Sequence, residues 1–222
     1  MLKLGGLLDK IWPLPICVHN SPPNPYMQSQ TLNLKFKGDR TYLQGGDIFN
    51  AVNRASKESD ATSYLSRIAF RRFARRDCKL LWDKPAQGET LIAQGKVNQS
   101  GTELPFWIVE SSVPAVGRYN FDEESLVSPA VINCDEIVLE KRSSHTPIEE
   151  IIALTKRLNY ELTPNIEGKW VFGQLRLIRE IPSNYSSLRI CRLSEVANRF
   201  SVNKIIVDNQ EIGDIRFIVG AP

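Results

Sequence analysis

Gly45-Gly46-Asp47-Ile48-Phe49-Asn50-Ala51-Val52 and Thr146-Pro147-Ile148-Glu149-Glu150-Ile151-Ile152 decide the architecture, because each opens a helix at the same point in a repeated order of elements. In the first stretch a glycine pair breaks the preceding chain, and Ile48, Phe49, Ala51, Val52 and Ala55 then fall at helical spacing. Asp47 is read as its N-cap, since a carboxylate there can accept from the free amides of the first turn. In the second, Thr146 and Glu149 form a capping box around a proline at the first helical position, and Ile148, Ile151, Ile152, Thr155 and Leu158 continue the apolar face. Helices are expected over 47–58 and 147–159.

Working outward, each helix is preceded by one strand-like run and followed by four. Leu32–Phe36 alternates with period two, and Val131–Leu139 stands in the same place in the second half. Tyr64–Phe73, Cys78–Trp82, Glu89–Asn98 and Glu103–Ser111 follow the first helix, punctuated by Gly88 and Gly101. Trp170–Ile178, Leu188–Arg192, Ser201–Asp208 and Ile212–Gly220 follow the second. A shift of 100 residues lays Leu32 on Ile132, Leu34 on Cys134 and Ile48 on Ile148. A shift of 110 lays Val97 on Val207 and Trp107-Ile108-Val109 on Phe217-Ile218-Val219. Two offsets in one element order argue for an ancient duplication. The division expected is an N-terminal extension and proline-rich connector (1–30), a first half (31–113), a crossover (114–130) and a second half (131–222).

The whole chain of 222 residues is 42% hydrophobic and 24% charged, an ordinary globular composition that argues against disorder. Its net charge of +3 is unevenly placed: residues 1–115 carry 15 Lys and Arg against 10 Asp and Glu, the remainder 13 against 15. An electrostatic partner is therefore expected at the first half. Cys17, Cys78, Cys134 and Cys191 show no metal-ligand spacing and, with only His19 and His145 beside them, read as small, mostly buried residues in a reducing compartment. Met1–Val18 is interrupted by Asp9, Lys10, Pro13 and Pro15, so neither a signal peptide nor a membrane span is expected, and a cytoplasmic protein is. Asn20–Tyr26, with three prolines, is expected to be extended.

The element order, together with Arg72-Phe73 and the Gly88-Glu89-Thr90-Leu91 turn entering a strand, resembles the hotdog superfamily. Acyl-carrier-protein dehydratases of that superfamily carry a similar arginine-aromatic strand and a Pro-Gly-Asp-x-Leu turn, where this chain has Gln87-Gly88-Glu89. As a tandem repeat the chain is also similar to the double-hotdog acyltransferase/decarboxylase proteins of polyketide clusters. The resemblance implies an α+β double hotdog of two antiparallel sheets, each wrapping a central helix. It implies an acyl group held as a thioester on acyl carrier protein or CoA, threaded between the halves, in polyketide- or fatty-acid-like biosynthesis. Dehydration, thioester hydrolysis, acyl transfer, decarboxylation or binding alone all occur on the fold, which does not choose among them. A catalytically silent acyl- or protein-binding double hotdog is the alternative. No cofactor, metal, nucleic acid or membrane is implied, and an oligomer is compatible.

The most pointed segment for chemistry is Arg40 to Asn50. Gln44, Gly45 and Gly46 bring backbone amides to a helix start, where a thioester carbonyl and its developing charge are favoured. Asp47 or Asn50 could orient water or take a proton, and Tyr42 could donate to the substrate or accept an acyl group. The same residues also read as a turn with a capping aspartate and a packed tyrosine. His145, with Glu149 and Glu150 after it, reads as a second acid–base candidate or as a surface histidine before a capped helix. Arg71, Arg72, Arg75 and Arg76 read as a docking face for an acidic carrier, or as a solvated strand end. Trp82, Trp107, Trp170 and Phe172 read as core, and some of them as candidates to line an acyl tunnel.

Overall fold

The computed structural model describes residues 29–140, 143–197 and 199–220. The expected extension and Asn20–Tyr26 connector lie outside the described residues. Two long helices form where the periodicity places them: α1 (Gly45–Ser59) and, after a short α2 (Glu123–Val127) in the crossover, α3 (Pro147–Leu162). Proline at the first turn and the Thr146–Glu149 capping box start α3 as its sequence predicts. The N-cap of α1 is Gln44, not Asp47, because the glycine pair joins the helix rather than preceding it. Asp47 therefore sits as the third helical residue, and its side chain is free to leave the capping position.

The strands of the first half are β1 (Gln30–Thr31), β2 (Phe36–Lys37), β3 (Tyr64–Phe70), β4 (Cys78–Leu81), β5 (Leu91–Gln99) and β6 (Thr102–Glu110). β7 (Arg118–Tyr119) lies in the crossover. The second half contributes β8 (Val131–Asn133), β9 (Glu136–Leu139), β10 (Lys169–Leu177), β11 (Leu188–Val196), β12 (Phe200–Val207) and β13 (Gln210–Gly220). Leu32–Phe36, read as one strand, is not one. Leu32 and Leu34 are buried as their alternation requires, but Asn33 takes a φ of 53° and the Leu34 N–H donates to Asp77 Oδ1 at 3.1 Å. A side-chain acceptor thus replaces the strand ladder there. Val131–Leu139 likewise splits, at Cys134 with a φ of 53°, into the hairpin β8–β9.

Two separate sheets were the expectation; the structure has one. Eleven strands run in the order β1-β4-β6-β5-β3-β10-β13-β12-β11-β9-β8, and a small parallel pair, β2 with β7, stands apart. The seam is the antiparallel pairing of β3 with β10, Ile68 opposite Leu175 and Arg67 opposite Arg176. Both seam strands would otherwise be open edges, and pairing them satisfies their backbone groups. α1 packs on β3 and α3 across β9 to β13, and one buried cluster from Leu32 to Phe217 spans both halves. A large antiparallel sheet laid against a helix in each half fits the hotdog arrangement.

The halves repeat their elements in sequence but not their strand order in space. In both halves a hairpin lies between the other two strands, but its orientation is reversed: β6 lies beside β4 and β5 beside β3, whereas β12 lies beside β11 and β13 beside β10 in a plain meander. The connections explain the difference. Residues 82–90, with Pro85 and Gly88, are long enough to carry the chain past β6 from β4 to β5. Val196 and Phe200 are so close in sequence that β11 and β12 must lie side by side. A strand-for-strand superposition of the two halves, expected from the offsets, therefore fails at this hairpin.

Because sheet and core are continuous, the halves should unfold together. Ile68 is fully buried at the seam opposite Leu175. Ile68→Ala is expected to cost about 2–5 kcal/mol and to shift a single calorimetric transition as a whole. Two separable transitions would show that the halves are independent.

Candidate functional site

A cavity of about 750 Å³ opens where α1 begins, between the end of β3, the middle of α3 and the strands β10 and β13. Its lining grades from exposed to buried. Asp39, Thr41, Arg72 and Lys169 are exposed at the rim; Ile48, Phe172 and Phe217 are buried at the floor. Gln44, Gly45 and Gly46 all line it. The N–H groups of Gly45 and Gly46 begin the helix, where amides have no intrahelical acceptor, while Asp47 and Ile48 donate to the Gln44 carbonyl. The helix start thus presents donors and a positive dipole end to the cavity.

Tyr42 lines the cavity with its ring edge-on to Phe73, centroids 4.5 Å apart. Asp47 and Asn50, the other residues expected to carry chemistry, are not among the lining residues. Asn50 Nδ2 donates to Thr146 Oγ1 at 3.1 Å and so ties the starts of α1 and α3 together. The Tyr119 hydroxyl lies 2.8 and 2.9 Å from the two Asp47 oxygens, and Lys37 Nζ stands 3.5 Å from Oδ1. Burial pushes the Asp47 pKa above its ordinary value, against the pull of Lys37 and Tyr119.

Lys37 is the group the sequence did not single out. It is 4% exposed, yet carries its ammonium to the cavity wall. Its Nζ donates to Glu149 Oε1 at 2.5 Å and stands 3.8 Å from the centre of the Phe121 ring. Glu149 Oε2 also accepts from the Thr146 N–H at 2.9 Å, so the capping carboxylate doubles as the partner of Lys37. Burial opposes ionisation of Glu149, but these hydrogen bonds outweigh it and hold its pKa below the usual value. Four segments therefore meet in one cluster: β2, α1, the crossover and α3. The crossover grips the cavity a second time through Glu123, which accepts from Arg40 at 2.8 Å and from Lys156 at 2.7 Å.

The remaining candidates divide. Arg71 and Arg72 line the cavity, whereas Arg75 and Arg76 stand outside it, with their backbone N–H groups held by Glu110 at 2.6 and 3.1 Å. His145 is half-buried edge-on to Phe121 and does not line the cavity. Glu150 is fully buried, accepting from Ser143 and from the Tyr185 hydroxyl, which pins the loop before α3. Among the cysteines, Cys78 is buried but Cys134 is exposed, in the β8–β9 turn. Among the described residues no cluster of His, Cys, Asp or Glu could hold a metal ion, and no helix is long and apolar enough to cross a membrane.

No family model and no curated protein matches this chain. Solved structures similar to it include the pyran synthase domain from module nine of the sorangicin pathway, at 11% identity and a TM-score of 0.46, covering 87% of this chain and 92% of that one. The dehydratase domain of PpsC from Mycobacterium tuberculosis, in complex with C12:1-CoA, is 11% identical with a TM-score of 0.44, covering 86% and 87%. The dehydratase domain of RzxB from Pseudomonas fluorescens is 13% identical with a TM-score of 0.42, covering 82% and 92%.

Lys37→Met leaves two partly buried carboxylates without their cation, which is expected to destabilise the fold at neutral pH by up to about 3 kcal/mol, the low end for a broken buried pair. Glu149 has a lowered folded pKa, so its contribution is present above its ordinary 4.5 and is lost as pH falls through the folded value. Asp47 has a raised one, so its contribution is present below its ordinary 3.8 and is lost as pH rises through the folded value. Without Lys37 both acids favour protonation, and the stability gap between variant and parent should narrow from pH 7 toward pH 4. Urea titrations across that range check it; a gap independent of pH would show that the cluster is not electrostatically coupled.

Proposed function

We propose that this chain is a fused double hotdog, its halves sharing one sheet across the β3–β10 seam, that binds an acyl thioester in the cavity at the start of α1. The acyl group lies against the aromatic floor, and the pantetheine and its anionic carrier, acyl carrier protein or CoA, leave past the cationic rim. The observation that carries this reading is the cavity: about 750 Å³, within the size range of small-molecule sites, apolar at depth and basic at its mouth. Arg72 and Lys169 supply cations at the rim beside Asp39, and Gly45 and Gly46, whose helix-start amides have no intrahelical acceptor, line the interior, where a thioester carbonyl can accept. An acyl chain contributes affinity through burial and an anionic carrier through the rim, so both ends of the ligand are matched. The setting this suggests is polyketide- or fatty-acid-like biosynthesis.

Conversion of the bound thioester is the second reading, favoured by the burial that raises the proton affinity of Asp47 one turn or less from those amides. In that case Lys37, at the cavity wall and 3.5 Å from Asp47, passes a proton to Asp47 as it takes one from the substrate or its attacking water, Tyr42 donates at the cavity wall, and Asn50 holds the two helix starts in register. Titration calorimetry with acyl-CoA and acyl-pantetheine thioesters, followed by mass analysis of the thioester, tests both readings. Acyl-CoA is expected to bind more tightly than CoA itself. Asp47→Asn is expected to keep that binding and to lose turnover if conversion occurs. Acyl-CoA binding no tighter than CoA, or no binding of either, contradicts the proposal.

A further inference from the structure

The floor of the cavity is built from rings contributed by both halves. Phe70 ends β3 and Phe172 lies in β10, so the two strands of the seam each send one phenyl to the same place. The rings meet edge to face with centroids 5.1 Å apart, and Phe217 of β13 backs Phe172 at 6.2 Å. A bulge in β10 between Phe172 and Gln174 makes this possible. It keeps Phe172 and Gly173 buried in succession, where strict alternation would have turned one of them out. Farther along the same two strands, the seam continues in the buried pair Ile68 and Leu175.

Gly45 fixes how far the rings can withdraw. A Cβ placed there would lie 2.8 Å from Phe172 Cδ1 and 3.0 Å from Phe70 Cζ, closer than van der Waals contact. Both rings therefore rest directly against the bare Cα at the start of α1. The same residue that offers an amide to the ligand also sets the position of the floor, which links the depth of the cavity to the place where a carbonyl would be held.

We infer that the Phe70–Phe172 pair, seated on Gly45, selects acyl chain length by setting the depth to which the chain enters. This rests on the thioester reading above and names the part of the ligand that the site measures. Short and medium chains lie over the rings; a longer chain meets them end-on and is left exposed toward the rim. Removing the Phe172 ring opens the floor toward the seam, and adding a methyl at residue 45 pushes both rings into the cavity.

The experiment is equilibrium binding of straight-chain acyl-CoA thioesters, from butanoyl to hexadecanoyl, to the full chain and its variants. In the parent protein affinity should rise with length and then stop rising at a cut-off. Phe172→Ala should move that cut-off to longer chains, each newly buried methylene tightening binding by about fourfold. Gly45→Ala should move it to shorter ones. Phe172→Leu, which removes less of the wall, should shift the cut-off in the same direction as Phe172→Ala by less, and serves if the alanine variant does not fold. A cut-off unmoved in every folded variant, with affinity lowered evenly at all lengths, overturns the inference while leaving the thioester reading intact. Failure of the parent protein to bind any chain overturns both.

Discussion

The buried ammonium of Lys37 is the point on which the site depends. An isolated charge so little exposed would be expensive, and it is kept because two carboxylates, one from each helix start, and two aromatic rings of the crossover surround it. Glu149 accepts directly; Asp47 stands farther away and is shared with Tyr119. The cluster therefore locks the first half, the crossover and the second half at the wall of one cavity. A buried ionic group of this kind adds specificity of arrangement more than raw stability, because its desolvation offsets much of its attraction.

The second constraint is the seam. Pairing β3 with β10 turns two short sheets into one and leaves no open edge at the centre. It also brings Phe70 and Phe172 together, so the joint between the halves and the floor of the cavity are built from the same two strands. α1 enters at that joint with glycines at its first two positions, which lets the helix start approach the rings. Fold, cavity and the placement of free amides thus follow from one local geometry.

Much of this was legible in the sequence. Apolar spacing after Gly45-Gly46 and after Thr146-Pro147 located both long helices, and the Thr146–Glu149 box formed as read. The line Gln44-Gly45-Gly46 does reach the cavity. Three things were hidden for physical reasons. Alternation at Leu32 and Leu34 reports burial, not pairing, and could not reveal that Asp77 replaces the ladder. Lys37 sits in an alternating Lys-Phe-Lys context, indistinguishable from a solvated strand face until Glu149 from 112 residues away is brought to it. Glu149 already had a complete local explanation as a capping residue. Tyr119 and Phe121 stand in a crossover that also holds Val116, Leu126 and Val127, and nothing local distinguishes the two aromatics as partners of Lys37. The hairpin order of the two halves was hidden as well: read from the sequence, the gaps before Glu89 and before Ser201 are similar in length, and only the structure shows β11 running on to Val196 and so tightening its link to β12.

The account stands or falls on whether an acyl chain occupies the cavity beneath the start of α1. The most direct measurement is photo-crosslinking with an acyl-CoA carrying a diazirine at the end of its chain, followed by peptide mapping. The account predicts labelling at the floor, on the peptides that contain Phe70, Ile152 and Phe172, and its suppression by excess unlabelled acyl-CoA. Labelling confined to the outer face of the sheet, or labelling that excess ligand does not suppress, would contradict it.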